Sequence, residues 1–121
     1  MKLLVVEDSS FVRKITKSAA RLLGYEQLEA TQIGQALYIL NDRYIEIELI
    51  IFDWNLGQQG LDFVKLIRSD INFSKIPVIV TFTEIKKENV VKAKSMGVAS
   101  FALKPFTVQE IVVHMLESIG K

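Results

Sequence analysis

The chain has no cysteine, which excludes disulfides, thiolate metal ligands and thiol nucleophiles. That absence suits an intracellular protein. Excess charge of either sign is missing as well, since 15 Lys and Arg against 14 Asp and Glu leave a net charge of +1. So even a balance gives no basis for non-specific attraction to nucleic acid. Nor is there a long apolar run. The opening stretch Leu3-Leu4-Val5-Val6 stops at Glu7-Asp8, too short for a membrane span or the core of a secretion signal. Low-complexity tracts and flexible linkers are absent. What is there is 121 residues, half of them hydrophobic, the make-up of one soluble domain over 1–121 with its own core. A cytoplasmic location is the expectation.

Two patterns alternate along this domain. Short apolar runs rich in Val, Ile and Leu predict buried strands at Leu3–Val6, Leu49–Phe52, Val78–Phe82 and Phe101–Leu103. Tyr25–Ala30 is more polar, as an edge strand would be. Between them run helical periodicities. The first carries Phe11, Val12, Ile15, Ala19, Leu22 and Leu23, with Ser9 or Ser10 as cap and Gly24 as terminator. Further helices are predicted over Gly34–Asn41, Leu61–Ser69 (stripe Phe63, Val64, Leu66, Ile67), Glu88–Met96 and Thr107–Ser118. Thr107 with Glu110 three residues on has the form of a capping box. Five β-α repeats predict an α/β fold, a parallel sheet with helices on both faces and right-handed crossovers.

In such sheets ligands bind beyond the carboxyl ends of the strands. Glu7 and Asp8 follow the first strand, Asp53 the third and Lys104-Pro105 the fifth. Taken singly, each has an ordinary reading as a solvated acid, a turn residue or a surface lysine. Placed together, three carboxylates repel unless a cation lies among them, and Mg²⁺ takes such oxygen donors. A carboxylate can attack phosphorus to give an aspartyl phosphate, and a lysine opposite would neutralise the transferred group.

At these residues the sequence resembles the receiver domains of two-component response regulators, especially the single-domain chemotaxis type. The resemblance runs the whole chain, through Leu4-Val5-Val6-Glu7-Asp8-Ser9, Phe52-Asp53-Trp54-Asn55, Lys86-Lys87-Glu88-Asn89 and Phe101-Ala102-Leu103-Lys104-Pro105-Phe106-Thr107. It implies a flavodoxin-like, doubly wound sheet in the order 2-1-3-4-5 with five helices. It also implies Asp53 as phosphoacceptor, and Asp8 and Glu7 as the pair that organises Mg²⁺, Asp8 directly and Glu7 through water. The backbone carbonyl of Asn55 would be a further ligand, and its side chain would tune dephosphorylation. Lys104 would contact the phosphoryl group, the bond to Pro105 would be cis, and Phe101 would be the aromatic switch. The implied protein is a signalling switch and not an enzyme in the ordinary sense, although it would assist its own phosphorylation and dephosphorylation. Its donor would be a histidine kinase or histidine phosphotransfer protein. Its output would be a downstream protein on the face of helix 4, strand 5 and helix 5, with no nucleic acid or membrane partner.

Two places depart from the family pattern. The position of its switch Thr or Ser, at the end of the fourth strand, falls on Phe82, which has no hydroxyl. Thr81 and Thr83 flank it, but a shift of one residue in a strand turns a side chain to the other face. Thr83 would serve if the strand ended early. After Asp53, the run Leu56-Gly57-Gln58-Gln59-Gly60 has glycine in place of proline and one residue fewer. Both departures favour an alternative, a pseudo-receiver that acts as a phosphorylation-independent interaction module. The retained acids and Lys104 argue for the phosphoacceptor. A flavin or nucleotide binder of the same fold is disfavoured, because Glu7-Asp8 would repel a phosphate. His114, in the last helix and away from the acids, is expected to be structural. Lys86, Lys87, Lys92 and Lys94 are expected on a solvated helix face. Lys121 follows the last helix, and the chain reads either as a stand-alone regulator or as a receiver from a longer protein.

Overall fold

The computed structural model describes residues 1–56 and 60–120. In chain order it has β1 (Lys2–Val6), α1 (Ser10–Leu22), β2 (Glu26–Ala30), α2 (Ile33–Arg43), β3 (Ile47–Asp53), α3 (Gly60–Ser69), β4 (Val78–Phe82), α4 (Lys87–Ser95), β5 (Ser100–Leu103) and α5 (Val108–Ile119). One 3-10 turn, Tyr44–Glu46, precedes β3. The five strands are parallel and lie in the order β2-β1-β3-β4-β5. Position in the sheet explains composition. The central strands β1, β3 and β4 are covered on both faces and are almost wholly apolar, whereas edge strand β2 exposes Glu26 and Glu29.

Alternation along the strands divides the interior in two. Val6, Ile50, Phe52, Val80 and Phe82 face one way and pack with Leu40 of α2, Phe63 of α3 and Ala93 of α4. Leu3, Val5, Ile51, Ile79 and Ala102 face the other way, against Ala19 and Ala20 of α1 and Ile111 and Met115 of α5.

Helix ends follow their predicted chemistry. Ser9 caps α1, its hydroxyl accepting from the Val12 N–H. Thr107 and Glu110 form the reciprocal capping box of α5. Gly24 and Gly97 both adopt positive φ, at 80° and 71°, where a side chain would be strained. The Lys104–Pro105 peptide is cis.

The apolar stripes need correction at three residues. Phe11 and Leu22 of α1 are 67% and 71% exposed, and Leu66 of α3 is 40% exposed. The rest of the α1 stripe, Val12, Ile15, Ala19 and Leu23, packs against the sheet, where Thr16 and Ala20 join it as small, fully buried residues that allow close approach. Thr16 is accommodated there because its hydroxyl donates to the Arg13 carbonyl at 3.0 Å. The departure noted after Leu56 falls on Gly57–Gln59, which lie outside the described residues, as does Lys121.

Candidate functional site

Strand register brings the candidate residues to one edge of the sheet. Val6 pairs with Phe52, so Glu7 and Asp53 follow side by side. Asp53 pairs with Thr81, and Phe82 pairs with Leu103, so Lys104 lies one step beyond. The ladder continues past the strands to hold these positions. Glu7 N–H donates to the Ala30 carbonyl at 2.9 Å, Trp54 N–H to Thr81 at 3.0 Å and Lys104 N–H to Phe82 at 2.8 Å.

Lys104 draws the acids together. Its Nζ lies 2.7 Å from Glu7 Oε1 and 3.3 Å from Asp53 Oδ2. The other Glu7 oxygen accepts from Ser9 N–H at 3.0 Å, and Asp53 Oδ1 accepts from Asn55 N–H at 3.0 Å. Glu7 and Asp53 are 2% and 6% exposed, whereas Asp8 is open to solvent. Each of the three acids offers an oxygen within 4.8 Å of the others. Hard oxygen donors at this spacing suit a small divalent cation, and a partly buried ammonium already lies against two of them. The donor set therefore fits the ion that the resemblance implies. Glu7, Asp8, Asp53, Asn55 and Lys104 are thus brought to one site.

Burial pushes the Glu7 carboxyl above the usual glutamate range and the Asp53 charge adds to that, while Lys104 and the Ser9 N–H oppose it. Folded Glu7 therefore holds its proton to higher pH than the unfolded chain does. Its contribution is most favourable below the ordinary glutamate value and falls as pH rises through the folded value. Glu7→Gln cannot ionise and escapes that cost. In divalent-free buffer it is therefore expected to lose less stability than the native chain as pH rises from acid towards neutrality. Urea denaturation should show the two converging in acid, below the ordinary glutamate range.

The switch candidates separate onto opposite faces. β4 ends at Phe82, whose 2%-exposed ring belongs to the core beneath α3 and α4. Its centroid is 5.5 Å from that of Trp54 and 6.2 Å from that of half-buried Phe101, so three rings form a row. Lys94 Nζ, on a helix face taken to be merely solvated, lies 5.9 Å from the Phe101 centroid. Thr83 lies just past the strand, where its hydroxyl accepts from Asn55 Nδ2 at 2.9 Å.

Several contacts had no signal in the sequence. Arg13 Nη1 donates to the Glu7 carbonyl at 2.9 Å while its Nε pairs with Glu29 at 2.8 Å, tying α1 to the first loop and to β2. Thr81 is 1% exposed, and its hydroxyl has no hydrogen-bond partner among the described residues. His114 has a structural contact, its Nδ1 lying 2.6 Å from the Ser100 hydroxyl.

Known proteins resemble this chain in sequence and fold. The family model described as the response regulator receiver domain matches residues 3–116. The chain is 42% identical over 110 residues to chemotaxis protein CheY1 of Helicobacter pylori, covering 90% of this chain and 89% of that one. It is 33% identical over 121 residues to a CheY homolog of Campylobacter jejuni, covering 99% and 93%. Among solved structures, Vibrio cholerae chemotaxis protein CheY4 superposes with a TM-score of 0.86 at 25% identity, covering 97% of each chain. A response regulator from Thermotoga maritima superposes with a TM-score of 0.89 at 22% identity, covering 99% of this chain and 98% of that one, a likeness of fold.

Proposed function

The chain belongs to the response regulator receiver domain family, and we propose that Asp53 is its phosphoacceptor. The observation that carries this reading is the Lys104 ammonium shared between Glu7 and Asp53 at the carboxyl edge of the sheet. A bland acidic cluster has no such partly buried counter-charge shared between two of its acids. A donor histidine kinase or phosphotransfer protein would present a phosphohistidine. An Asp53 carboxylate oxygen attacks its phosphorus, a P–O bond forms, and the P–N bond breaks. The imidazole leaves with the electron pair and takes a proton from solvent. In hydrolysis a water oxygen bonds to phosphorus as the Asp53 O–P bond breaks; the carboxylate leaves with the electron pair and is restored, and the water protons pass to phosphate and solvent.

Lys104 Nζ stabilises the charge gathering on the phosphoryl oxygens, and Asn55 N–H fixes the orientation of Asp53 through Oδ1. Mg²⁺, held by Asp8, Asp53 and the Asn55 carbonyl with Glu7 acting through water, would supply further charge neutralisation when bound. Downstream contacts are proposed on the face of α4, β5 and α5, where Val91, Leu103 and Val113 are about half exposed, at 57%, 48% and 52%. A cytoplasmic location belongs to the same proposal.

The test is incubation with Mg²⁺ and acetyl phosphate, followed by intact-mass measurement and peptide mapping, with Trp54 fluorescence followed on adding beryllofluoride. One phosphoryl group on Asp53 and a fluorescence change are expected. No mass gain and no spectral change would favour the second reading, a phosphorylation-independent interaction module, for which the fixed Phe82 ring is the supporting observation.

A further inference from the structure

We propose that a cavity at the amino edge of the sheet, opposite the Asp53 edge, binds a small organic carboxylate, with Arg68 and Lys75 as its anion-binding side chains. The site stands apart from the phosphoacceptor reading of Asp53 and goes beyond it.

Topology places the cavity. Glu48 lies at the start of β3, Pro77 immediately precedes β4 and Ala99 immediately precedes β5, so all three sit where parallel strands enter the sheet. Ile119 ends α5, Arg68 lies in the last turn of α3, and Lys75 follows in the loop that leads to β4. Together they line a space of about 500 Å³, a size that takes small ligands.

Arg68 supplies the charge. One terminal nitrogen donates to the Ser74 carbonyl at 2.8 Å and the other donates to the Ile76 carbonyl. These bonds pin the loop and hold the guanidinium still, but neutral carbonyls do not balance its charge. Its Nε is buried without a hydrogen-bond partner, and no carboxylate pairs with it among the described residues. Burial pushes the guanidinium below the usual arginine value, with no anion acting against that shift. A partly buried cation without a counter-charge is costly, and an anion beside it offsets the cost. A guanidinium already fixed in place can meet a carboxylate with paired donors.

The rest of the lining selects the ligand. Lys75 is exposed, pairs with no acid among the described residues, and adds a second cation. Glu48 adds a carboxylate, whose Oε2 accepts from the Tyr25 hydroxyl at 2.7 Å. Burial and that carboxylate push the Tyr25 hydroxyl up to about 12, so it stays a donor to Glu48 at neutral pH. Two cations and one carboxylate leave the lining singly positive, which a carboxylate monoanion balances and a phosphate dianion exceeds. Pro77, Ala99 and Ile119 are apolar and suit a hydrocarbon body behind the carboxylate.

Titration of the ¹⁵N-labelled full chain with sodium butyrate in divalent-free buffer, followed by amide NMR, tests this. Saturable shifts are expected at Lys75, Gly97 and Ala99 at millimolar butyrate, with none of that size at Glu7 or Lys104. Butyramide has nearly the same shape without the charge and should leave those amides in place. Inorganic phosphate should bind more weakly than butyrate. Lys75→Gln should weaken butyrate binding about threefold. Arg68→Lys keeps the charge but loses the paired donors, and should weaken it about tenfold. Ala99→Leu fills the cavity and should abolish it. Lys75→Gln and Ala99→Leu leave the Arg68 loop contacts alone, so they decide the matter even where Arg68→Lys disturbs that loop. Unsaturable shifts, an equal response to butyramide, tighter binding of phosphate, or native affinity in both Lys75→Gln and Ala99→Leu would overturn the proposal. Each of those results leaves phosphoryl uptake on Asp53 untouched, and a chain that fails to take up a phosphoryl group can still bind butyrate here.

Discussion

Asp53→Asn is expected to abolish phosphoryl uptake while leaving the fold in place. The amide has nearly the shape of the carboxylate and can still accept the Asn55 N–H that now binds Oδ1 at 3.0 Å. What it loses is the anionic oxygen needed to form a P–O bond, and one of the two acids shared by Lys104. Intact mass after incubation with Mg²⁺ and acetyl phosphate should show no gain, against one phosphoryl group on the native chain. Far-UV circular dichroism should be unchanged. Native-like uptake by this variant would move the acceptor elsewhere, Asp8 being the exposed neighbouring carboxylate.

Phe82→Ala is expected to cost about 4 kcal/mol of stability, the usual scale for deleting a fully buried aromatic ring. The ring is 2% exposed and sits between Trp54 and Phe101, so its removal leaves a void lined by two other aromatics. For a domain of this size the loss corresponds to a fall in Tm of roughly 15 °C. Urea denaturation should show it, and Trp54 emission should shift to the red as water reaches its exposed flank. Phosphoryl uptake on Asp53 should persist in the folded fraction, because the ring lies in the opposite core. A loss below about 1 kcal/mol would contradict the burial described for this ring.

Much of the fold was legible because burial imposes a simple pattern on parallel strands. Val78–Phe82 matched to the residue, and the other strands differed at their ends by one or two positions. The differences have local causes. Asp53 reads as polar yet completes β3, because its backbone still pairs with β4. Periodicity placed α1 correctly and found its inner side through Val12, Ile15, Ala19 and Leu23, but drew the stripe too wide by including Phe11 and Leu22. Apolar spacing counts Phe11 and Leu22 as core, while close packing selects the smaller Thr16, Ala19 and Ala20. The 3-10 turn at Tyr44–Glu46 carries no strong signal of its own; its Tyr44 is held by an edge contact with Phe73, 29 residues later, at 5.7 Å between ring centroids.

For the site, the sequence by itself determined the chemical inventory. Glu7, Asp8, Asp53 and Lys104 follow three strands of one sheet, and any parallel arrangement of those strands sends them to a common edge. It also determined that position 82 has no hydroxyl. Tertiary structure alone decided who partners whom. Lys104 lies 97 residues from Glu7 in the chain and 2.7 Å from it in space, and Asn55 meets Thr83 across 28 residues. Those pairings depend on strand order and on register across the sheet, neither of which is encoded in local spacing. A run of Thr81-Phe82-Thr83 is equally compatible with any of the three facing Asp53. The β3–β4 register and the end of the strand assign Phe82 to one core and return Thr83 to the acid edge, because alternate residues in a strand point to opposite faces.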